Sequence, residues 1–462
     1  MRLKAGLFFA LLIAGTLLLN LNGCGEGSIA SPITRGITHV VVIIQENRTP
    51  DDLFQDPVLI SRGADIASSG LNSRGQRIPL APVPLANNYD LSHEHIAFVQ
   101  MYNGGKMNGA NLIQVGCYAK AGCPPANPNP QFGYVLPSDV QPYFSLAEQY
   151  TFADRMFQTN EGPSYPAHQF LLAGTSAPET GSNMFVAENP LLVHDTGCTA
   201  PLGESVFLIG PDGFERTSVY PCYEHPTLPD LLDFKGISWR YYSPLPGDIW
   251  TAPNSIRHIC APERVDGSLQ CTGSEWKYNV VISKTRVLTD IALKQLADVS
   301  WVIPTGLASD HAGINDGSGP SWVAQVVNAI GNSSYWGNTA ILITWDDWGG
   351  WYDHVSPPAV LQDCQQWGCG YVYGFRVPLI VVSPYAKPGY ISHVQHDFGS
   401  ILKFIEQNFG LGSLGYADAY ADDLSDCFDL NQTLIPFRTI AAPLSAADFL
   451  NDTRPATDPD DD

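Results

Sequence analysis

Positive charge is scarce in this chain: 24 lysines and arginines stand against 46 aspartates and glutamates, a formal net charge of −22. So acidic a composition argues against nucleic acid as a partner, which needs a basic face. It also means that an anionic ligand must be attracted locally, by a cation, by histidines or by a helix start. The ten cysteines include no Cys-x-x-Cys pair, the spacing most zinc sites would use. No internal repeat is evident, and beyond Ala5–Leu21 no apolar run approaches the length that spans a bilayer.

What is present begins with an export pattern. Arg2 and Lys4 precede the apolar stretch Ala5–Leu21, which ends in Leu21-Asn22-Gly23-Cys24. A basic start, an apolar core and a small-residue cleavage site predict a signal peptide over residues 1–23. Its removal takes away two positive charges and no acid, moving the net charge from −22 to −24. Cys24 sits where a bacterial lipobox carries its lipidated residue; a plain cleaved signal or an uncleaved anchor helix are the other readings. The expected location is therefore periplasm or cell surface, with membrane association through Cys24 if it is modified. Residues 24–35 read as a linker, 36–449 as the domain and 450–462 as a solvated acidic tail. An oxidising compartment favours disulfides. Candidate pairs are Cys117/Cys123, Cys198/Cys222, Cys260/Cys271 and Cys364/Cys369, with Cys427 left over, although spacing alone does not fix connectivity.

Short β-branched runs punctuate the domain. Residues 38–44 lead into Gln45-Glu46-Asn47, residues 339–345 into Asp346-Asp347, and residues 377–382 into Ser383-Pro384; residues 300–304 form a fourth. Continuous apolar runs of this length suit strands buried on both faces. Helical spacing appears between them, at 321–330 and at 397–409. The alternation predicts an α/β fold, a doubly wound and mostly parallel sheet with helices on both faces. The Pro- and Gly-rich stretches 82–130 and 196–276 read as loop insertions that cap the active edge.

Ligands of such sheets bind beyond the carboxyl ends of the strands. Glu46, Asn47, Asp346 and Asp347 all fall there, although their segments lie three hundred residues apart in the chain. Adjacent carboxylates raise each other's pKa, and a divalent cation would remove that penalty; the bland alternative is a pair of helix-capping acids on a solvated loop. In Gly162-Pro163-Ser164-Tyr165-Pro166 the chain breaks and a helix begins. Ser164 is then either a capping hydroxyl or a nucleophile at an anion-binding helix start.

The ordered motifs resemble those of the bacterial phosphoesterase family, which contains phospholipases C and acid phosphatases. They are His39–Arg48, Asn103–Gly109, the Gly-Pro-Ser segment, Asp310-His311, Trp345–Pro358 and Arg376–Pro384. The resemblance implies an alkaline-phosphatase-like fold and one divalent cation bound by Glu46, Asn47, Asp346 and Asp347. Oxygen ligands favour Ca, Mg or Mn, with Fe also possible. It further implies a phosphoserine formed on Ser164, catalytic contacts from His93, His311 and His354, and substrate contacts from His168 and Lys106. The substrate would be a phosphate ester or a phospholipid. Ser164 stands where phospholipase-like members carry Thr, and Ala167-His168 where Asn-Arg is common, so monoester and diester chemistry both stay open. A sulfatase-like or phosphonate-cleaving hydrolase on the same fold, or a non-catalytic surface lipoprotein, are the rival functions.

Overall fold

The computed structural model describes residues 36–116, 127–192, 194–360 and 371–457. The expected signal, Cys24, the linker 24–35 and the pairs Cys117/Cys123 and Cys364/Cys369 lie outside the described residues. No described helix is long and apolar enough to cross a membrane.

The strands of the main sheet are β1 (His39–Gln45), β2 (Thr151–Phe157), β3 (Trp239–Ser243), β4 (Val280–Ile282), β5 (Val299–Val302), β6 (Thr339–Trp345), β7 (Arg376–Val382), β8 (Tyr390–Ser392) and β9 (His396–Asp397). They lie in the order β4-β3-β5-β1-β6-β7-β2-β8, with β9 also paired to β2. Every pairing is parallel except the two made by β7, which runs against both β6 and β2. The expected α/β sheet is thus present and mostly parallel. All seven residues of β6 and of β7 are buried, as strands covered on both faces must be.

Direction decides which strand ends matter. Because β7 is reversed, Ser383-Pro384 lies at the edge opposite the other strand ends. Arg376, at its start, lies beside Phe157 at the end of β2. β2 itself carries Asp154 and Arg155 and so gave no continuous apolar run to recognise. The stretch 196–276 is likewise more than a cap, since β3 lies inside it.

Among the longer described helices are α1 (His95–Tyr102), α2 (Gln141–Gln149), α3 (Ser164–Ala173), α4 (Gly319–Gly331) and α5 (Phe398–Phe409). α2 packs on α4, and α3 on α5. Asp397 caps α5 through a reciprocal pair with Ser400, and Gly410 closes it in the left-handed region. The disulfides Cys198–Cys222 and Cys260–Cys271 are formed as expected, and Cys427 is free and buried. The chain after residue 450 is tied down as far as Thr457. Lys284 Nζ donates to the Asp452 carbonyl at 3.0 Å, Arg454 pairs with Asp316 at 2.9 Å, and Thr457 Oγ1 accepts from Leu307 N–H at 3.0 Å. That part of the expected solvated tail is therefore bound to the domain.

Candidate active site

β1 and β6 run parallel in register, with Gln45 opposite Trp345. The residues that follow each strand are therefore neighbours: Asp346 N–H donates to the Gln45 carbonyl at 3.1 Å, and Glu46 N–H to the Ser309 carbonyl at 2.9 Å. Asn47 adopts φ 63°, a left-handed conformation that asparagine tolerates better than most residues. This turn lets its N–H donate to Asp346 Oδ1 at 3.1 Å, an oxygen that also accepts from Asp347 N–H at 2.8 Å. Gly349 lies against the turn at φ 59°, where a Cβ would fall 2.4 Å from the Asn47 carbonyl oxygen. Only glycine permits that approach.

Ser164 reaches the same place from the first residue of α3. The preceding loop is braced by Asn160 Nδ2, which donates to the Gly162 and Pro163 carbonyls at 2.8 and 3.1 Å. The residue at the N-cap position is Pro163, and no side chain caps the helix. The Ser164 hydroxyl is instead 3.1 Å from Asp347 Oδ2 and 3.4 Å from Asn47 Oδ1. The capping role left open by the sequence is therefore not the one it has. Ser164, Glu46, Asn47, Asp346 and Asp347 come together, all buried.

Their charge is not balanced by the protein. Among the described residues, no lysine or arginine pairs with Glu46, Asp346 or Asp347; the recorded ion-pair contacts are those of His168. Burial, then the neighbouring Asp346, pushes the Glu46 carboxyl well above its usual range, and the same two causes raise Asp347. Glu46 Oε2 and Asp346 Oδ2 are fully buried without a hydrogen-bond partner, a costly state for carboxylate oxygens. Buried, unpaired oxygens beside an amide oxygen and a hydroxyl fit a divalent cation. Glu46, Asn47, Asp346, Asp347 and Ser164 are the groups positioned to hold one.

The histidines divide. His93 Nδ1–H donates to the Leu91 carbonyl at 2.9 Å, so Nε2 accepts from Asn47 Nδ2 at 3.0 Å. This turns the Asn47 amide oxygen toward Ser164, and His93 acts as an orienting residue with both nitrogens engaged. His311 lies beside it, ring centroids 5.6 Å apart, with Nδ1 held by the Ala312 carbonyl at 2.9 Å. His168 joins the carboxylates: Nε2 is 3.3 Å from Glu46 Oε1 and 3.7 Å from Asp346 Oδ2. Burial pushes its pKa down to about 4, and Asp346 only partly offsets this. That places it inside the ligand cluster, beyond the substrate-contact role expected of it. Its i, i+4 spacing from Ser164 on one helix was the available signal.

Two expected residues stand apart. His354 is clamped by Asp51 Oδ2 at 2.8 Å and Asp65 Oδ1 at 3.0 Å, within an ion-pair network around buried Arg376. No nitrogen is left for a leaving group. Lys106 is exposed on the turn after α1 and has no recorded contact with the cluster. Asp51 and Asp65 were not singled out from the sequence, and Arg376 entered only as the start of the Arg376–Pro384 motif, because nothing in their spacing links them.

The chain is similar to a non-hemolytic phospholipase C of Pseudomonas aeruginosa, 24% identical over 420 residues, covering 82% of this chain and 54% of that protein. It is also similar to phospholipase C B of Mycobacterium tuberculosis, 24% identical over 454 residues, covering 88% and 80%. The chain thus spans about half the length of the Pseudomonas relative. Among solved structures, a member of the alkaline phosphatase superfamily from Vibrio parahaemolyticus aligns at 10% identity and a TM-score of 0.35, over 84% of this chain and 71% of the other. Residues 37–412 match the model of the Phosphoesterase family, and the chain belongs to that family.

Proposed function

We propose that this chain hydrolyses phosphoric esters through a phosphoserine at Ser164, using one divalent cation held by Glu46, Asn47, Asp346 and Asp347. The observation that carries the reading is the Ser164 hydroxyl, turned away from capping and toward Asp347 Oδ2 and Asn47 Oδ1. When bound, the cation supplies positive charge that favours the serine alkoxide and offsets charge on the phosphoryl oxygens. Ser164 Oγ gives its proton to Asp347 Oδ2, 3.1 Å away, and attacks phosphorus in line; the Oγ–P bond forms as the ester P–O bond breaks, and the departing oxygen takes a proton. His311, whose ring lies beside that of His93, is assigned that proton in preference to His354, both of whose nitrogens are held by Asp51 and Asp65. Water then cleaves the Oγ–P bond: its hydroxide goes to phosphorus, its other proton recharges His311, and Oγ takes back the proton held by Asp347. The helix start helps only in part, since Tyr165 N–H is taken by Asn189 at 3.0 Å and Pro166 has none.

The substrate class follows the relatives named phospholipase C, so a phospholipid or a smaller phosphate ester is expected. Turnover of p-nitrophenyl phosphate and p-nitrophenyl phosphorylcholine, with and without chelator, tests the reading. Hydrolysis of neither, or full activity in a metal-free preparation, would sink it. We further propose export and anchoring through Cys24, supported by the two disulfides. A Cys24→Ala chain that stays in the membrane fraction would argue against the anchor.

A further inference from the structure

His168 lies one helical turn beyond Ser164 and is fully buried against Glu46 and Asp346. Its Nδ1 is 3.5 Å from the Tyr241 hydroxyl, whose own proton goes to the Trp250 carbonyl at 2.6 Å. A carbonyl can only accept, so the Tyr241 oxygen is left to accept from Nδ1–H. That tautomer leaves Nε2 with a lone pair directed at Glu46 Oε1 and Asp346 Oδ2, at 3.3 and 3.7 Å. A lone pair facing two carboxylates is repulsive unless a metal cation, or a proton carried by Glu46, lies among the three. The ligand atoms of Glu46, His168 and Asp346 all fall within 4.8 Å of one another, and Glu46 Oε2 and Asp346 Oδ2 have no other partner.

We infer that His168 is a nitrogen ligand of the cation held by Glu46 and Asp346, with Tyr241 positioning its ring. The inference rests on the metal-dependent reading above and sharpens it. An imidazole in the set moves preference from the hard ions that oxygen ligands alone favour toward Fe²⁺, Co²⁺ or Zn²⁺. Tyr241 is the kind of outer partner that fixes tautomer and ring orientation in metal sites.

Pulsed electron paramagnetic resonance on the full chain, stripped and reloaded with Mn²⁺, reads the bond directly. Nitrogen-14 modulation from an imidazole is expected, and it should vanish in His168→Ala and in the volume-conserving His168→Gln. Calorimetric titration should show Zn²⁺ affinity falling at least ~10-fold in either variant, while Ca²⁺ affinity changes by less than about 3-fold. Tyr241→Phe should weaken Zn²⁺ by roughly 10-fold, the size of an outer-partner loss. Absence of nitrogen modulation in the unaltered protein overturns the inference, and that measurement needs no variant to fold. Equal losses of Zn²⁺ and Ca²⁺ in His168→Gln also overturn it, because they would mark a packing role. If Glu46→Gln abolishes binding and His168 variants bind normally, only the inference fails. If the unaltered protein binds no cation at all, the metal reading fails with it.

Discussion

Two buried acidic clusters lie near the same edge of the sheet, and they solve the same electrostatic problem in opposite ways. Around Arg376, the carboxylates of Asp51, Asp65 and Asp353 meet three cationic partners from the protein itself. Arg376 pairs with Asp353 at 3.0 Å and Asp51 at 3.3 Å, Arg155 with Asp65 at 2.6 Å, and His354 with Asp51 and Asp65. Around Ser164, the carboxylates of Glu46, Asp346 and Asp347 meet no arginine or lysine among the described residues, and two of their oxygens have no hydrogen-bond partner. A cluster whose charge is already balanced needs nothing more than the protein; the one whose charge is left over is the one proposed to take a cation. Both contain a histidine and both could be drawn as metal-binding triads. Balance, rather than composition, separates them.

Ser164→Ala should break the comparison on the functional side most sharply. Removing the hydroxyl aimed into the unbalanced cluster is expected to lower kcat by roughly 10⁴-fold or more, as loss of a nucleophile does elsewhere, with the unfolding temperature little changed. Initial rates on p-nitrophenyl phosphate, corrected by folded fraction, check it. Residual activity within tenfold would remove the covalent step.

Opposite stability effects are expected next. Arg376→Met strips a buried cation from its carboxylates and should destabilise by about 3–5 kcal/mol, the range for breaking a buried pair. Asp346→Asn removes a like charge from the other cluster and should leave the cation-free protein as stable or more so. Denaturant melts of both variants test the pair of signs. Two losses of similar size would mean that the Ser164 cluster is balanced after all. A saturating divalent cation should raise the unaltered protein's stability by about 2–3 kcal/mol at a hundredfold excess over Kd, and Asp346→Asn should abolish that rise. A cation that stabilises both proteins equally would be binding elsewhere.

Much of this contrast was legible before any geometry. The strand ends placed Glu46-Asn47 and Asp346-Asp347 together because two continuous apolar runs stop just before them, and a parallel sheet puts such ends on one edge. What could not be read was direction and partnership. Nothing in residues 377–382 says that β7 runs backwards and delivers Arg376, not Ser383, to the active edge. Family resemblance alone suggested a catalytic role for His354, yet its partners Asp51 and Asp65 lie about three hundred residues earlier in the chain. For His168 the information was present, since i+4 from Ser164 places it on the same helical face. Its carboxylate partners come from other elements, so only the fold reveals the contact.

The smallest expected effect is a pH dependence, and its sign distinguishes the balanced cluster. Burial by itself would lower the His354 pKa, but the hydrogen bond and charge of Asp51 prevail and push it up to about 9, from an ordinary value of 6.5. A group whose folded pKa is raised contributes stability that is full below its unfolded pKa and is lost as pH climbs through the folded value. The contribution should therefore be intact near pH 6 and gone above about pH 9. With the imidazole 27% exposed and Asp65 33%, solvent screening should reduce it to about 1 kcal/mol. His258, raised to about 9 against its own burial by Asp230 and Glu224, titrates over the same window, so the difference from His354→Gln is the informative quantity. The variant should be less stable than the unaltered chain at pH 6, and the gap should close by pH 9.5. Parallel stability profiles across that range would show that His354 is not held as a charged partner, and the balance assigned to its cluster would fall short by one cation.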